Sequence, residues 1–575
     1  MKFKQRQPKT NVSIQNLPFD DASTMNHIFM LRGVDSTQEV ISPISKMLSP
    51  STMKSLDTAA QSIIDAIGSN KRITIVADYD CDGACACAIM IRGLIALGAD
   101  KNKLDYIVPN RIQDGYGLTP VIVDRAIETF NTELLITVDN GIASFSGINH
   151  ANEKGIDVIV TDHHLPSIVD GKVNIPGNAI IVNPQQPDCP FESKSICGAG
   201  VAFYLILMIR NMMRKQMLFI NHAEPKKEIE QLLQLVAVAT IADVVLLDDN
   251  NRCLIANGLR KIQSKDVYPG LEALFRASQK DNSAAISSDI GFVIAPRINA
   301  AGRMSDMKIG IKSLIIDDPA LCTEYARQLN EYNNQRKTIQ NEMSELIDKK
   351  ISTLEDIQNK SCIVVHDCTF HEGVVGILAG RLKEKYNRPT FAFANSDDGF
   401  LKGSGRSIAG LHLRDALDEM SKTNANIFIK FGGHSMAAGC TIKKEYLSEF
   451  HELLERISES KLNPDQLNQT ILTDGSLCID CFSPSMCKLI NSYVWGNGFE
   501  EPIFFDTFKI INQQLLKGKH LKMLVQIKNQ RREAIWFGVA KMFDENISLQ
   551  LAYKLSLNKW QGRENAQMNI VAGTQ

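Results

Sequence analysis

The sequence predicts an α/β protein of several domains that ends in a small β-barrel. Apolar strand-like runs alternate with helix-spaced runs from residue 72 to about residue 247, which is typical of a mostly parallel sheet. A second alternation covers residues 352–461, and short alternating runs dominate residues 465–575. A chain of 575 residues has room for about three or four such domains.

The first alternating region, residues 71–320, follows a helical lead-in over residues 1–70. Its predicted elements are strands 73–76, 104–108, 134–138, 158–160 and 180–182 and helices 84–97, 118–130 and 145–154. Helices 201–213 and 228–246 follow, and the second has Asp243 inside an apolar string. No chemistry can be assigned to the lead-in, in which residues 41–48 and 59–67 have helical spacing.

The rest of the chain begins with a long solvated helix over residues 321–351, because this stretch has few apolar residues. Strand 362–366, helix 374–385 and strand 390–394 open the second α/β domain, and the polar stretch 458–468 is predicted to be a linker. Strands 503–511, 521–527 and 534–539 are the clearest in the terminal barrel.

Composition excludes several classes of protein. A net charge of −2 and a pI near 6.6 give no overall basic character, so a polyanion would be bound by local patches. Thirteen cysteines without regular spacing are typical of reduced thiols in the cytoplasm. The first ten residues have no apolar core of a secretory signal, and the longest apolar run falls short of the roughly 20 residues of a membrane span.

Three carboxylates directly follow the first predicted strand. In an extended segment Asp78, Asp80 and Asp82 would point to the same side, where a divalent cation would relieve their repulsion. A calcium loop of the EF-hand type is the alternative, but its twelfth position is Ile89 rather than glutamate. Gly83 would allow a tight turn into the next helix. The carboxyl edge of an α/β sheet is where such folds bind ligands.

Four other segments offer metal-competent or polar side chains, two of them directly after predicted strands. They are Asp139-Asn140-Gly141, Asp162-His163-His164, Asp243 and the glycine-punctuated polar turn predicted from Arg297 to Arg303. Taken singly, each has an ordinary explanation as a turn, a surface histidine pair or a buried cap. Together they supply enough carboxylates and imidazoles for two Mn²⁺ or Mg²⁺ ions.

Four of these segments together resemble the four motifs of the DHH phosphoesterase family: Asp78–Gly83, Asp139–Gly141, Asp162–His164 and Thr240–Asp243. Within that family the resemblance is to bacterial exonucleases that degrade single-stranded DNA from the 5′ end, and it runs from about residue 31 to the C-terminus. It implies a parallel-sheet DHH catalytic domain, a DHHA1 substrate domain and an OB-like barrel that binds single strands.

The resemblance also implies roles for individual residues. Asp78, Asp80 and Asp82 would supply the first motif, Asp139 would bridge two metal ions, and His163 and Asp243 would complete one of them. His164 would stand beside the site, and Asp162 would orient a histidine. Which acid of the first motif binds which ion stays open.

Substrate residues are implied in the second α/β domain. Ser404, Arg406 and Ser407 match the family's phosphate-binding stretch, and Gly433 and His434 match its Gly-Gly-His turn. Arg303 would assist from the first domain, and His371-Glu372-Gly373 is a weaker match before a helix. Glycines let backbone N–H groups approach a phosphate, onto which an arginine can fork. A plain turn and a surface charge are the alternatives.

The terminal barrel contains the local basic signal. Residues 509–541 hold eight basic residues and one acid, Glu533, with aromatic residues among them. This composition suits a surface that tracks the backbone and stacks the bases of a single strand. The candidate residues are Lys517, Lys519, Lys522, Arg531, Arg532 and Trp536. A solvated hairpin with core aromatics is the alternative.

The favoured function is a metal-dependent exonuclease that acts processively on single-stranded DNA in repair and recombination. We expect a monomer fed by a helicase and a single-strand-binding protein, with a groove between the two α/β domains too narrow for a duplex. A small-substrate DHH phosphodiesterase would not need the barrel, and an inactive replication scaffold would have lost ligands. A plain single-strand-binding protein would leave the acidic motifs unexplained.

Overall fold

The computed structural model describes residues 2–8, 20–34, 40, 43–110, 114–169, 171–219, 223–352, 360–396, 399–544 and 547–575. The chain forms two compact units. The larger unit comprises residues 6–332 and 474–575, and the smaller unit comprises residues 1–5 and 333–473.

The described parts of both units contain nineteen strands and eighteen α-helices of four or more residues. The strands are β1 (Lys2–Gln5), β2 (Ile73–Ala77), β3 (Leu104–Ile107), β4 (Leu134–Val138), β5 (Asp157–Thr161), β6 (Ser167–Val169), β7 (Lys172–Asn174), β8 (Ile180–Val182), β9 (Ile363–His366), β10 (Thr390–Asn395), β11 (Phe400–Arg406), β12 (Phe428–Gly433), β13 (Ala437–Lys443), β14 (Thr470–Thr473), β15 (Phe504–Leu516), β16 (His520–Ile527), β17 (Gln530–Trp536), β18 (Ser548–Trp560) and β19 (Arg563–Thr574). The helices are α1 (Asp21–Met30), α2 (Leu56–Gly68), α3 (Cys81–Ala96), α4 (Pro120–Phe130), α5 (Phe145–Glu153), α6 (Gly198–Lys215), α7 (Lys226–Gln231), α8 (Leu233–Ala242), α9 (Asp249–Ile262), α10 (Pro269–Ala277), α11 (Ala295–Met304), α12 (Lys308–Ile315), α13 (Pro319–Ser352), α14 (Val375–Tyr386), α15 (Leu413–Thr423), α16 (Leu447–Lys461), α17 (Pro464–Leu467) and α18 (Pro484–Asn491).

The larger unit is built on a parallel five-stranded sheet in the order β3-β2-β4-β5-β8. Side chains alternate between its two faces, so Ile73 and Ile75 join a core with α3 and α6, while Val76 joins a core with α4 and α5. Burial on both faces explains why these strands are continuously apolar. Ala77 pairs with Val138 and Val138 with Thr161, so the strands that precede the acidic motifs end at one edge.

Two predicted elements of this unit are wrong. Helix 228–246 is observed as α7 and α8, and α8 ends at Ala242, so that Asp243 is its C-cap rather than a residue inside the helix. The predicted polar turn from Arg297 to Arg303 is part of helix α11. Gly302 serves close packing there, because a Cβ at this position would lie 2.0 Å from the carbonyl oxygen of Tyr79.

The described part of the lead-in contains strand β1, which pairs with β14, and two α-helices. Helices α1 and α2 cover Asp21–Met30 and Leu56–Gly68, in agreement with the helical spacing over residues 59–67. Of the predicted helical stretch 41–48, residues 41 and 42 lie outside the described residues, and Ile44–Lys46 forms one turn of 3₁₀ helix.

The smaller unit contains a mixed five-stranded sheet in the order β12-β13-β11-β10-β9. Strands β9 and β10 are parallel and the other pairs are antiparallel. Helices α15 and α16 cover one face, and α14 covers the other. The prediction of a linker over residues 458–468 is wrong, because these residues form the end of α16 and helix α17. A capping box between Asn463 and Gln466 begins α17.

The C-terminal strands form a closed barrel in the order β15-β16-β17-β19-β18, which confirms the predicted OB-like barrel. Its strands reach 13 residues and are longer than predicted. A buried ion pair links it to the lead-in, with Arg32 Nη1 2.6 Å from Asp474 Oδ1. Among the described helices, none has the length and apolar character needed to cross a membrane.

Candidate metal centre and substrate surfaces

The first acidic motif is a strand-to-helix junction. Asp78 follows β2, Asp80 is the N-cap of α3 and accepts hydrogen bonds from the N–H groups of Asp82 and Gly83 at 2.9 and 3.1 Å, and Asp82 lies in the first turn. The expectation of one extended run is therefore wrong, because helix α3 begins directly after the extended N-cap Asp80 and places Asp82 in helical geometry. Gly83 allows tight packing rather than a turn, since a Cβ would lie 2.5 Å from the carbonyl oxygen of Asp78.

Asp82 also caps a second helix. Its Oδ2 accepts from the N–H of Gly198 at 2.7 Å and its Oδ1 from the N–H of Ala199 at 2.8 Å, at the N-terminus of α6. The positive end of that helix therefore faces a carboxylate that is 1% exposed. These two bonds fix Asp82 at the edge of the sheet.

Asp139 occupies the turn that follows β4. Its φ of 62° is left-handed, a conformation that aspartate adopts more readily than most residues. Its side chain is buried against Gly198, and its Oδ1 makes no hydrogen bond with any described residue. A buried carboxylate oxygen that accepts no hydrogen bond is suited to binding a cation.

His163 lies at the centre of the cluster. Its Nε2 is 3.1 Å from Asp139 Oδ1, 3.6 Å from Asp243 Oδ2 and 3.8 Å from Asp82 Oδ2. The candidate ligand atoms of this cluster form three sets. Within each set, all the atoms lie within 4.8 Å of one another. The sets are Asp78, Asp80 and Asp139; Asp82, His163 and Asp243; and Asp139, His163 and His164.

Asp162 stands behind the two histidines. Its Oδ1 accepts from Nδ1 of His164 at 2.7 Å, and its Oδ2 accepts from the N–H of Ile142 at 2.9 Å. Burial opposes ionisation, but the hydrogen bond and charge of His164 hold the pKa of Asp162 at about 2. Although burial favours the neutral imidazole, the bond to Asp162 raises the pKa of His164 to about 9. Asp162 therefore fixes the orientation of the ring.

The carboxylates of the cluster destabilise one another. Burial and the charge of Asp80 raise the pKa of Asp82 to about 6. Burial, followed by the neighbouring carboxylates, raises the pKa values of Asp139 and Asp243 well above the ordinary range. A divalent cation would remove this repulsion, and the oxygen-rich donor set fits Mn²⁺ or Mg²⁺.

Sequence reasoning missed four residues that support the cluster. The Nδ2 of buried Asn140 donates to the carbonyls of Val76 and Val138, and the Oδ1 of Asn299 accepts from the N–H of Cys81. The Tyr116 hydroxyl donates to the carbonyl of Asp139 at 3.3 Å, and Gly198 leaves room for the Asp139 side chain. Two of them carried a signal, Asn140 as the second residue of the Asp-Asn-Gly motif and Asn299 as part of the polar segment from Arg297 to Arg303.

In the smaller unit, Ser404 and Arg406 lie on one face of β11. Arg406 Nη1 donates to Ser404 Oγ at 3.3 Å, and both side chains pack near Gly376, in the first turn of α14. Lys402, two residues earlier on the same face, donates to Glu372 at 2.8 Å. A helix N-terminus beside an arginine is a suitable site for an anion.

The other predicted substrate residues have different surroundings. The Ser407 hydroxyl is buried and donates to the carbonyl of Leu411 at 2.7 Å. Gly433, with φ of 136°, ends β12, and exposed His434 follows in the turn. Arg303 lies on α11 in the larger unit, half-buried.

The predicted barrel residues lie on two different faces. Leu521 pairs with Trp536 and Val525 with Arg532, and since paired residues share a face, Trp536 and Arg532 lie on the side of the buried Leu521 and Val525. Trp536 stacks on Phe543, and Arg532 lies over the ring of Phe482. The cations outside this core-facing side are Lys517 and Lys519 in the first hairpin turn, and Lys522 and Arg531 on the strands.

Three family models match the chain in succession: the DHH family N-terminal domain over residues 72–240, the DHHA1 domain over 359–460 and the RecJ OB domain over 473–572. The single-stranded-DNA-specific exonuclease RecJ of Salmonella typhimurium is 37% identical over 96% of each chain. The protein of the same name from Escherichia coli is also 37% identical, over 96% of each chain. The chain belongs to the RecJ family.

Solved RecJ structures extend the similarity to the whole fold. The Thermus thermophilus RecJ in complex with Mn²⁺ has a TM-score of 0.77 at 26% identity, over 96% of this chain and 76% of that one. The same protein in complex with Mg²⁺ has a TM-score of 0.71 at 25% identity, with coverage of 96% and 74%. The predicted DHH, DHHA1 and barrel architecture and the prediction of Mn²⁺ or Mg²⁺ as cofactor are confirmed.

Proposed function

We propose that this chain hydrolyses phosphodiester bonds of single-stranded DNA, processively from the 5′ end, in DNA repair and recombination. The observation that carries the proposal is the convergence of Asp82, Asp139, His163 and Asp243, which come from four distant parts of the sequence. Membership of the RecJ family supports the same substrate and reaction.

Two metal ions are proposed at this edge of the sheet. Asp78, Asp80 and Asp139 would hold one ion, and Asp82, His163 and Asp243 the other. Asp139 belongs beside both, because its Oδ1 is the cluster atom nearest to His163 Nε2. When bound, the pair lowers the pKa of a water molecule and offsets the charge of the reacting phosphate.

The protein's own groups position the reacting phosphodiester. Asp162 orients the imidazole of His164 through the hydrogen bond at Nδ1, and we propose that this oriented ring assists in positioning a phosphate group of the strand. The N-terminus of α6 and the capping bonds to Asp82 stiffen the far side of the cluster. This rigidity keeps the ligand atoms in place as the strand advances.

Two further surfaces are proposed to bind the strand. Arg406 and Ser404, with the N-terminus of α14 and exposed His434, would grip a terminal phosphate. On the barrel, Lys517, Lys519, Lys522 and Arg531 would follow the phosphates of the backbone. Binding by the barrel should therefore weaken as salt is added.

The cellular setting is also a proposal. All thirteen cysteines are free, which supports work in the reducing cytoplasm. An enzyme that needs a single strand depends on a helicase to open the duplex and meets strands covered by a single-strand-binding protein. We propose both as functional partners of a monomer.

Digestion of oligonucleotides labelled at the 5′ or 3′ end tests the reaction and its direction. With Mn²⁺, we expect the 5′ label to be released first from a single strand and a blunt duplex to be resistant. Equal rates on duplex and single strand, or earlier release of the 3′ label, would contradict the proposal.

Two variants separate cleavage from binding. Asp139→Ala should lose cleavage and keep the affinity for single-stranded DNA, measured by fluorescence anisotropy in the absence of added metal. Asp157→Ala, which changes an exposed acid at the start of β5, is the matched control and should remain active. Retained cleavage in Asp139→Ala would exclude the cluster as the catalytic centre.

A further inference from the structure

A second cluster of metal-competent side chains lies in the smaller unit. It comprises Cys362, which directly precedes β9, and His451 and Glu455, which are one turn apart on helix α16. One candidate ligand atom from each residue lies within 4.8 Å of the others. The aspartate cluster belongs to the larger unit, so this group is separate from the proposed catalytic centre.

Backbone contacts hold the helix and the strand at this point. Glu455 Oε1 accepts from the N–H of Ser361 at 2.7 Å, and its Oε2 accepts from the N–H of Cys362 at 2.9 Å. A carboxylate oxygen has two lone pairs, so each oxygen of Glu455 can still bind a cation. The ligand positions are therefore preorganised by contacts that a metal ion would leave in place.

Capping by Glu455 explains the carboxylate but does not explain the thiol and the imidazole beside it. Burial, together with the hydrogen bond to Glu455, raises the pKa of the Cys362 thiol well above its ordinary value. Burial lowers the pKa of His451, which keeps its ring neutral and able to bind a metal at pH 7. His451 and Glu455 are partly exposed, so an ion can reach the cluster from solvent.

The donor set differs from that of the aspartate cluster. One thiolate, one imidazole and one carboxylate suit Zn²⁺, which binds sulfur and nitrogen ligands in tetrahedral sites, with a water as the fourth ligand. Mn²⁺ and Mg²⁺ prefer the oxygen ligands of the other cluster. The two sites would therefore select different metals.

The position of the cluster indicates a structural role. Cys362 faces the core formed with α15 and α16, whereas the next residue, Ile363, faces the core formed with α14. Ser404 and Arg406 lie on the α14 face, so the cluster is on the opposite side of the sheet from these proposed phosphate-binding side chains. A metal here would fasten the start of β9 to α16 without touching the substrate.

We propose that Cys362, His451 and Glu455 form a zinc site that stabilises the smaller unit. Zn²⁺ would replace the thiol proton of Cys362, so that a Zn–S bond forms, the S–H bond breaks and one proton passes to solvent. Since only the folded chain brings the three ligands together, bound zinc would stabilise the fold.

Cobalt is the probe that tests the site, because a thiolate bound to Co²⁺ gives a charge-transfer absorption in the near ultraviolet. The full chain, stripped of metal with a chelator, should develop this band on titration with Co²⁺ and lose it when Zn²⁺ is added. Cys362→Ser should abolish the band. Cys197→Ser and Cys487→Ser, which change buried cysteines of the larger unit, should keep it.

A second variant keeps the test valid if Cys362→Ser does not fold. His451→Gln retains the thiol and the capping carboxylate, and it should weaken Zn²⁺ binding by about tenfold or more in competition with a chromophoric chelator. Zinc should raise the melting temperature of the parent chain but not that of His451→Gln. Absence of the band in the parent chain, or zinc affinity unchanged in His451→Gln, would overturn the proposal.

Discussion

Gly198 leaves space for the side chain of Asp139 and for nothing more. A Cβ on Gly198 would lie 2.6 Å from both Cβ and Oδ1 of Asp139. The same glycine donates its N–H to Asp82, so one residue at the N-terminus of α6 touches two acids of the metal centre. Asp139 is short and its backbone is held in a turn, so it has little freedom to move away.

We therefore expect Gly198→Ala to lower kcat/KM on single-stranded DNA by about 100-fold, since a displacement of about 1 Å has effects of this size. Release of labelled nucleotides in Mn²⁺ measures the loss. Gly68→Ala is the matched control, because a Cβ there meets nothing within 4 Å. Full activity in Gly198→Ala would show that the cluster tolerates movement of Asp139.

The strand ends could be predicted from the sequence and much of their surroundings could not. Apolar runs followed by acids were enough to place Asp78, Asp139 and His163 at one edge of a parallel sheet. The contact between Asp82 and Gly198 could not be predicted, because 116 residues separate them and no local pattern links a carboxylate to a distant helix N-terminus. Asn299 was missed for the same reason.

Two errors have a local cause. Glycine and polar residues between 297 and 303 indicated a turn. In the structure Gly302 lies within helix α11, and glycine is needed there because the carbonyl oxygen of Tyr79 packs directly against it. In the barrel, basic and aromatic residues predicted one binding surface. The sequence did not reveal the register of β16 and β17, and that register turns Arg532 and Trp536 toward the core side.

Asp162 lies behind the metal centre, and its effect there can be measured separately from folding. Asp162→Asn keeps the size of the side chain and removes the charge that holds His164. We expect metal affinity or activity to fall by about 10- to 100-fold, the usual effect of losing such a partner. Activity as a function of Mn²⁺ concentration measures the change.

Asp157→Asn, which alters the exposed acid at the other end of the same strand, provides the comparison. Its Mn²⁺ dependence should match that of the parent chain. If Asp162→Asn behaves like Asp157→Asn, the orientation of His164 has no part in the reaction.

Two neighbouring aromatic residues of the barrel, Trp536 and Phe537, are expected to have different roles, one in stability and the other in binding of the strand. Phe537 is 59% exposed and meets His520 edge-on at 5.4 Å, whereas Trp536 stacks on Phe543 on the core-facing side. Phe537→Ala should weaken binding of a labelled single strand by about 1–3 kcal/mol, the range for one stacked base, with no change in melting temperature. Fluorescence anisotropy measures the affinity.

Trp536→Ala should instead lower the free energy of unfolding by about 2 kcal/mol or more, because it removes a packed aromatic ring. Denaturant unfolding measures this change. If Phe537→Ala lowered the melting temperature, or left the affinity for a single strand unchanged, the stacking surface would lie elsewhere on the barrel.

The buried ion pair between Arg32 and Asp474 joins the lead-in to the start of the C-terminal domain. Asp474 Oδ1 and Oδ2 are 2.6 and 3.2 Å from the two terminal nitrogens of Arg32, and Oδ2 also accepts from the N–H of Ile503. Both side chains are 1% exposed. Asp474→Ala would leave a buried cation without its carboxylate, and we expect it to destabilise the larger unit by about 3–5 kcal/mol.

Thermal and denaturant unfolding of the full chain would measure this loss of stability. Nuclease activity should fall together with stability, because the barrel and the parallel sheet belong to one compact unit. Glu272→Ala breaks an exposed pair with Arg276 on α10 and should cost at most about 1 kcal/mol. A large effect of Asp474→Ala beside a small effect of Glu272→Ala would mean that the C-terminal domain cannot be removed without damaging the catalytic fold. Equal small effects would make the barrel a separable module whose deletion spares cleavage.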